Sequence, residues 1–393
     1  MITKKHKKYH DLAKPSYGNY CRNEWAILGT QCSTIKTFAG NIIKALSSKY
    51  KCGYADAEHT LQNEKIHVPG CLQDGAVIEY TRHHNFQQIN HAKTFNQFEL
   101  RKLFSDADMV LVNGNHFEAK SQILIVDEIK KEFLKKNLAQ LTNVELILLS
   151  NNAEGVFDFI KEVLPSWKQL PVYKLDDTIK VIDFFKTKMQ QAKPTLNGLV
   201  LAGGKSTRMG YNKENILWHG KEQQYYMADL LAKICKEVFI SCHAGNQKEI
   251  NKNYKSLEDT FTGLGPYGAI LSAFREKPDD AWLIVACDLP LLDMETLQYL
   301  KENRNPCTIA TAFESAYNNQ PEPLITIWEP KSYPVLLSFL AQGYNCPGKF
   351  LRSNDTAVLK PVNPQAFMNV NTPEEVEMMK QILQKKLSVD HAT

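Results

Sequence analysis

Short apolar runs, each followed by an amphipathic stretch of helical period, recur along this chain and restrict it to one class of fold. In the first half "EWAILG", "ADMVLVNG" and "VELILLS" are such runs, with "KTFAGNIIKALSSKY" and "EIKKEFLKKNLAQL" as helical stretches between them. In the second half "GLVLA", "EVFIS" and "AWLIVACD" alternate with "YYMADLLAKICK" and "GAILSAFRE". A continuous apolar run too short for a helix fits a strand buried on both faces, and such strands alternating with helices build parallel sheets. The expected class is therefore α/β, with each half a three-layer α/β/α unit. Ligands of such sheets bind beyond the carboxyl ends of the strands, so chemistry is sought directly after each run.

The seam between the halves is "KMQQAKPTLNG", Lys188 to Gly198, where the helical run "IKVIDFFKTKMQQ" gives way to polar residues and a proline before "LVLA" begins. Helix, short linker and new buried strand predict two domains, 1–193 and 194–393. A length of 393 residues accommodates both. There is no internal repeat and no low-complexity tract.

Composition removes several classes of function. At 43% hydrophobic and 23% charged the chain reads as globular throughout. A net charge of +4 does not mark a nucleic-acid binder. The one strong charge run, "MITKKHKKYH", reads as a solvated terminus. Nine cysteines stand singly without a Cys-x-x-Cys pair, so zinc and thioredoxin-type motifs are unsupported. Their odd number, without an apolar leader, fits a reducing cytoplasm. No stretch approaches about 18 uninterrupted apolar residues, so no membrane partner is expected.

The most informative loop is "LVLAGGKSTRMGYNK", Leu199 to Lys213. Its Gly-Gly-Lys-Ser-Thr has the letters of a phosphate-binding P-loop, which requires Gly-x-x-x-x-Gly-Lys-Ser/Thr. Counting back from Gly204, the first glycine falls at position 199, where Leu199 stands; Gly198 is one residue too early. Val200 and Leu201, which would have to arch around a phosphate, read instead as the end of a buried strand. What remains is a strand followed by Gly203 and Gly204, whose N–H groups a ligand can approach closely. Arg208 and Lys213 add two cations beside the same turn, suited to a triphosphate.

This stretch resembles the signature L-A-G-G-x-S-x-R-M-G-x-x-K of the molybdenum cofactor guanylyltransferases, the MobA-type nucleotidyltransferases. Leu201, Ala202, Gly203, Gly204, Ser206, Arg208, Met209, Gly210 and Lys213 meet every specified position. The resemblance covers roughly residues 196–385. It implies a Rossmann-like nucleotidyltransferase fold of the GT-A type that transfers GMP from GTP to molybdopterin. Nucleotide contacts are implied from Leu201, Ala202, Gly203, Gly204 and Lys213, and catalytic roles for Arg208, Lys213 and Asp288. The related cytidylyltransferases usually carry L-A-A-G, so Gly203 favours guanine.

Other segments extend the likeness. "YKSLEDTFTGLGPYGAILSAF" is similar to the family's Glu-Asp segment before a Gly-Pro turn, which implies Asp259 at the nucleoside and Gly265, Pro266 and Gly268 shaping the turn. "AWLIVACDLPLL" is an apolar strand that stops on Asp288, with Pro290 closing the corner. A carboxylate there is placed to hold Mg²⁺; its competing reading is a helix cap or turn residue. In "FMNVNTPEEV", Asn369 and Asn371 fall on one face of an extended strand, and the family places this segment on the acceptor side. Thr372 with Glu375 reads as a capping box. "EVFISCHAGNQ" departs from the family's Asn-x-Asn, having Ser241, Cys242 and His243 before Asn246. Glu322, in "QPEPLITIWEP", has no assignable role.

In the first half "EWAILGTQCSTIKTFAGNIIKAL" has the layout of a P-loop, but its Lys36-Thr37 comes one residue late and lacks the second glycine. With "KCGYADAEHT" and the Asn113-Gly114-Asn115 turn, it is similar to the MobB-type GTP-binding adaptor. The missing glycine and the absent acidic residue at that turn imply a degenerate nucleotide site on a scaffold or dimerisation domain. His83, His84 and His91 read as a solvated loop rather than metal ligands. The implied partners are GTP and molybdopterin, then molybdoenzymes and cofactor-delivery proteins, without nucleic acid or membrane. The competing functions are a cytidylyltransferase, a sugar-phosphate nucleotidyltransferase, or a non-catalytic molybdopterin-binding adaptor.

Overall fold

The computed structural model describes residues 12–58, 70–202, 216–243, 245–315, 318–370 and 372–390. They form two compact units, Ser16–Ala192 and Lys193–Thr393, the latter grouped with the residues before Ser16. Among the described residues no helix is long and apolar enough to cross a membrane.

The Ser16–Ala192 unit contains β1 (Glu24–Leu28), β2 (Cys52–Ala55), β3 (Ile78–Arg82), β4 (Gln87–His91), β5 (Met109–Asn113), β6 (Ser121–Val126), β7 (Val144–Leu149) and β8 (Val172–Lys174). Its main sheet runs β2-β5-β1-β6-β7-β8 and every neighbouring pair is parallel. β1, β5 and β6 are buried along their whole length, as their unbroken apolar runs require. The Cys32–Leu46 helix turns Ile35, Phe38, Ala39, Ile42 and Leu46 inward at spacings of three and four. The Thr178–Gln191 helix buries Val181, Phe185 and Met189, and the Asp177 side chain caps its start. Glu24, although buried, accepts from the N–H groups of Asn19, Tyr20, Cys21 and Lys120, which anchors the entering chain.

Two sequence expectations change here. The stretch 128–141 is not one helix: only Lys131–Lys136 is α-helical, between 3₁₀ turns at Glu128–Lys130 and Leu138–Gln140. Asn137 ends the helix by turning its side-chain amide back onto the Phe133 carbonyl. His83 and His84 do lie in an exposed turn, but that turn joins an antiparallel hairpin of β3 and β4, and His91 is in β4, paired with Ile78. Among the described residues no group of three metal-ligating side chains forms there or elsewhere.

The Lys193–Thr393 unit contains β9 (Leu196–Leu201), β10 (Val238–Cys242), β11 (Lys255–Glu258), β12 (Ala281–Ala286), β13 (Ala310–Glu314), β14 (Pro321–Trp328) and β15 (Thr356–Leu359), ordered β11-β10-β9-β12-β14-β13-β15. β9 to β12 are mutually parallel, whereas β14 runs antiparallel to both β12 and β13. The sheet is thus mixed, not wholly parallel as the alternating pattern predicts. β13 and β14 are joined directly, and an antiparallel pair needs no crossover helix. Alternate residues of the central strands feed opposite cores: Leu199, Trp282 and Ile284 on one face, Val200, Leu283 and Val285 on the other. That is the three-layer arrangement in packing terms. At the edge of this core Arg304 grips the fully buried Glu329 through two bonds, Nε–Oε1 2.6 Å and Nη2–Oε2 2.8 Å, and donates a third to the Pro194 carbonyl.

Candidate active site

Strand order reverses beside β9: β10 and β11 lie on one side of it, β12 on the other. The carboxyl ends line up there, Leu201 beside Ser241 and Ala286. A reversal of this kind opens a crevice in which ligands sit. The glycine-rich loop leaves from this point. Leu201 and Ala202 end the strand half-buried; Gly203, Gly204, Arg208 and Lys213 lie outside the described residues.

Asp288 stands two residues past β12, half-buried, on the other flank of the reversal. It does not cap the following helix, because Asp293 does so by accepting from the Thr296 N–H. The reading of Asp288 as a cap is thereby removed. The sequence gives no role for Glu322, yet the fold brings it to Asp288. Glu322 stands at the start of β14, the strand paired with β12, and Asp288 follows the end of β12, close enough for its charge to act on Glu322. Burial pushes the Glu322 carboxyl up, and the negative charge of Asp288 raises it further. Two carboxylates sharing a crevice are an oxygen-donor set, the kind a hard divalent cation uses with substrate phosphates completing its shell. Glu322 also lines a cavity of about 260 Å³ with Pro266, Ser315, Gln320 and Arg352.

On the opposite flank Asp259 follows β11. Its N–H donates to the Cys242 carbonyl, 2.9 Å, and its Oδ1 accepts from the Ser241 hydroxyl, 3.1 Å. Burial pushes its carboxyl up, against that hydrogen bond and the charge of His243. It faces a cavity of about 450 Å³ that Thr260, Phe261 and Arg275 also line. Three strand spacings, roughly 14 Å, separate the ends of β11 and β12, the scale of a nucleotide rather than of one functional group. Gly265 has φ +56° as the cap of the Pro266–Glu276 helix, and a Cβ on Gly268 would run into the Phe261 carbonyl oxygen. Both glycines are therefore required by the turn.

The segment around Asn369 reaches the same place. Val370 donates its N–H to the Asp288 carbonyl, 3.1 Å, which leaves the neighbouring Asn369 side chain exposed beside the crevice. This segment is irregular, not the extended strand expected from its sequence. Asn371 lies outside the described residues. Thr372 and Glu375 do form the capping box, with bonds of 3.1 and 3.3 Å.

Two further residues escape sequence reasoning. Gln223, 0% exposed, donates to the Leu289 carbonyl, 3.3 Å, while its N–H reaches the Ile216 carbonyl. His219 bonds the Pro290 carbonyl, 2.9 Å, and stacks on Tyr226. Together they pin the exit of the glycine-rich loop to the turn after Asp288. A small cluster of Trp218, Leu291, Val370, Val376 and Met379 packs beneath all three site segments.

In the first unit the P-loop reading fails on geometry as well as on spacing. The helix already begins at Cys32, so Lys36 and Thr37 lie in its second turn and not in the loop. The loop is closed by side chains that follow β5 and β6, with the Thr30 hydroxyl donating to Asp127 and the Asn115 amide to the Thr30 carbonyl.

Residues 198–357 match the family model of the MobA-like NTP transferase domain. A molybdenum cofactor biosynthesis bifunctional protein of Synechocystis is 34% identical over 197 residues; the match takes in 50% of this chain and 57% of that one, so the chain spans little more than half of this relative. A solved structure of molybdopterin-guanine dinucleotide biosynthesis protein A from Archaeoglobus fulgidus superposes with a TM-score of 0.41 at 20% identity, over 48% of this chain and 99% of that one. A probable molybdenum cofactor guanylyltransferase of Carboxydothermus hydrogenoformans is 30% identical over 194 residues, 48% of this chain and 96% of its own length. By that near-complete match, with the transferase domain in its second half, the chain belongs to the molybdenum cofactor guanylyltransferase family.

Proposed function

We propose that the Lys193–Thr393 unit transfers GMP from GTP to molybdopterin carrying molybdenum, forming the guanine dinucleotide and releasing pyrophosphate. The observation that carries this reading is the departure of the glycine-rich signature from β9 at the strand-order reversal, one strand from Asp288. In the reaction the acceptor's terminal phosphate attacks the α-phosphorus of GTP in line, and the bond to the pyrophosphate oxygen breaks. Such transfer asks a protein for positioning and charge neutralisation rather than a covalent nucleophile.

The residues divide that work. The Gly203 and Gly204 N–H groups, with Arg208, hold the triphosphate; Lys213 neutralises charge growing at the α-phosphate. Asp259 seats the nucleoside in its cavity. Glu322 and Asn369 face the acceptor, and Asn371 belongs to the same side. Nucleotidyltransferases of the MobA type generally use a divalent metal. We take it to be Mg²⁺, held by Asp288, where it would supply charge neutralisation to the phosphates.

For the first unit we propose a MobB-like scaffold that no longer processes nucleotide, supported by the closed loop at Thr30 and the misplaced Lys36. None of the nine cysteines is in a disulfide, which suits work in the cytoplasm. Molybdoenzymes and cofactor-delivery proteins would receive the product.

The test incubates the protein with molybdopterin, Mg²⁺ and GTP, CTP or UTP in turn, and identifies the dinucleotide by mass. A guanine dinucleotide formed only with GTP is expected. A cytosine product would move the chain to the cytidylyltransferases. Transfer to sugar phosphates instead, or pterin binding without nucleotide consumption, would overturn the assignment.

A further inference from the structure

The closed loop of the first unit gathers a second set of reactive side chains, from the carboxyl ends of three adjacent strands. Cys32 is the first residue of the fifteen-residue helix after β1, and the Gln31 side chain makes no capping bond there. The Cys32 Sγ lies 3.4 Å from His116 Nε2 and accepts from the Asn115 amide at 3.3 Å. His116, after β5, also brings Nε2 to 3.9 Å from Asp56 Oδ1. Asp56, after β2, is fixed by the Tyr54 hydroxyl, the Asn113 amide and the Ala57 N–H, each at 2.8 Å. Burial acts to raise its carboxyl, but these hydrogen bonds and His116 outweigh burial and hold it low, so Asp56 stays ionised.

Each element of this arrangement pushes the same way. The same ring nitrogen, His116 Nε2, has the Cys32 sulfur at 3.4 Å and the Asp56 carboxylate at 3.9 Å, so a proton carried there lies between the two. The unsatisfied N–H groups of a helix's first turn favour negative charge on a thiol placed there. A thiol within reach of an imidazole is the core of an activated nucleophile; here Asp56 stands near the pair at 3.9 Å without a hydrogen bond to the ring. The cluster is not a metal site, because no group of three metal-ligating side chains forms among the described residues. Beside it the Asn115 amide donates to the Thr30 carbonyl and the Thr30 hydroxyl to Asp127, which fixes the turn before the helix.

We propose that Cys32, paired with His116, is a thiol–disulfide exchange site that accepts a small-molecule disulfide of the glutathione type. The Cys32 proton passes to His116 Nε2, and the thiolate attacks one sulfur of the disulfide. A protein–ligand S–S bond forms, the ligand's own S–S bond breaks, and its other half leaves as a thiolate that takes up the proton. Cys32 is oxidised and the leaving half reduced, with no other reagent.

The experiment treats the full chain at pH 7 with limiting oxidised glutathione and maps modified cysteines by peptide mass. Exposure alone would favour Cys71 and Cys346, which are more exposed than Cys32. The expected result is modification of Cys32 first, with His116→Gln slowing that site about tenfold or more while Cys71 and Cys346 keep their rates. Modification of Cys71 or Cys346 ahead of Cys32 overturns the proposal, as does an unchanged Cys32 rate in folded H116Q. The ranking is read on the wild-type chain and so does not depend on the variant folding.

Discussion

Asp259 and Asp288 stand on opposite flanks of one crevice, and the surroundings of each suit a different task. Asp288 stands in the turn after β12 near a second carboxyl, so on the proposed mechanism its substitution removes charge from the reacting end. Asp288→Ala and Lys213→Ala are each expected to lower kcat by about a hundredfold or more, with the melting temperature nearly unchanged. Near-wild-type turnover in either variant would strike that residue from the mechanism. Asp259 is held above its ordinary pKa by burial, so its ionisation opposes folding. The sign follows: the stability it allows is complete below the unfolded carboxylate pKa, about 4, and is lost as pH rises through the higher folded value. Asp259→Asn should therefore melt higher than wild type at pH 7, and the gap should close toward pH 4. Its nucleotide affinity should fall at the same time. A lower melting temperature at pH 7 would show that the carboxylate is stabilising.

At the scale of elements, the site is three chain segments resting on one small apolar cluster. Met379 belongs to that cluster, on the last helix, and is buried away from any proposed ligand contact. Met379→Ala is expected to cost about 2 kcal/mol of stability and to reduce kcat several-fold at temperatures where the fold persists. An unchanged kcat would mean that the cluster does not position the segments. The same elements show what a sequence discloses. β9 and β12 are legible because both faces of each are buried, which leaves an unbroken apolar run. Asp288 is legible because it interrupts such a run. β14 has a half-buried first half, and nothing in its residues records that it runs antiparallel, so Glu322 stays unplaced until the sheet is seen. Gln223 and His219 are ordinary polar residues locally; their importance comes from carbonyls some seventy positions away. The β3–β4 hairpin hides for another reason: neither strand has a buried residue, β4 does not alternate in burial, and the turn between them has no glycine.

At the scale of the molecule, each unit has its own sheet and its own apolar clusters. Two unfolding transitions are therefore expected in urea. Arg304→Ala leaves Glu329 buried and uncompensated, and should lower the transition of the Lys193–Thr393 unit alone by about 3–5 kcal/mol. Movement of both transitions would show that the units unfold as one. The fragment 193–393 should likewise keep the nucleotidyltransferase activity of the full chain. The helix, proline and strand around Pro194 mark the point where the two compact units divide, because a change of pattern survives in one dimension. The closing of the first unit's loop was not legible, since it depends on Asn115 and Asp127 arriving from distant strands.

The reversed direction of β14 has one more consequence. Because it runs against its neighbours, the end it presents to the crevice is its beginning, reached through the short connection between Glu314 and Pro321. Surface connections tolerate insertion cheaply, and lengthening this one displaces no helix of the parallel layers. On the proposed function, the acceptor side can therefore be recut during descent by changes to a single hairpin, while the side proposed to hold phosphates keeps its form. Relatives on this scaffold should differ most between β13 and β14 and least between β9 and the helix that follows it.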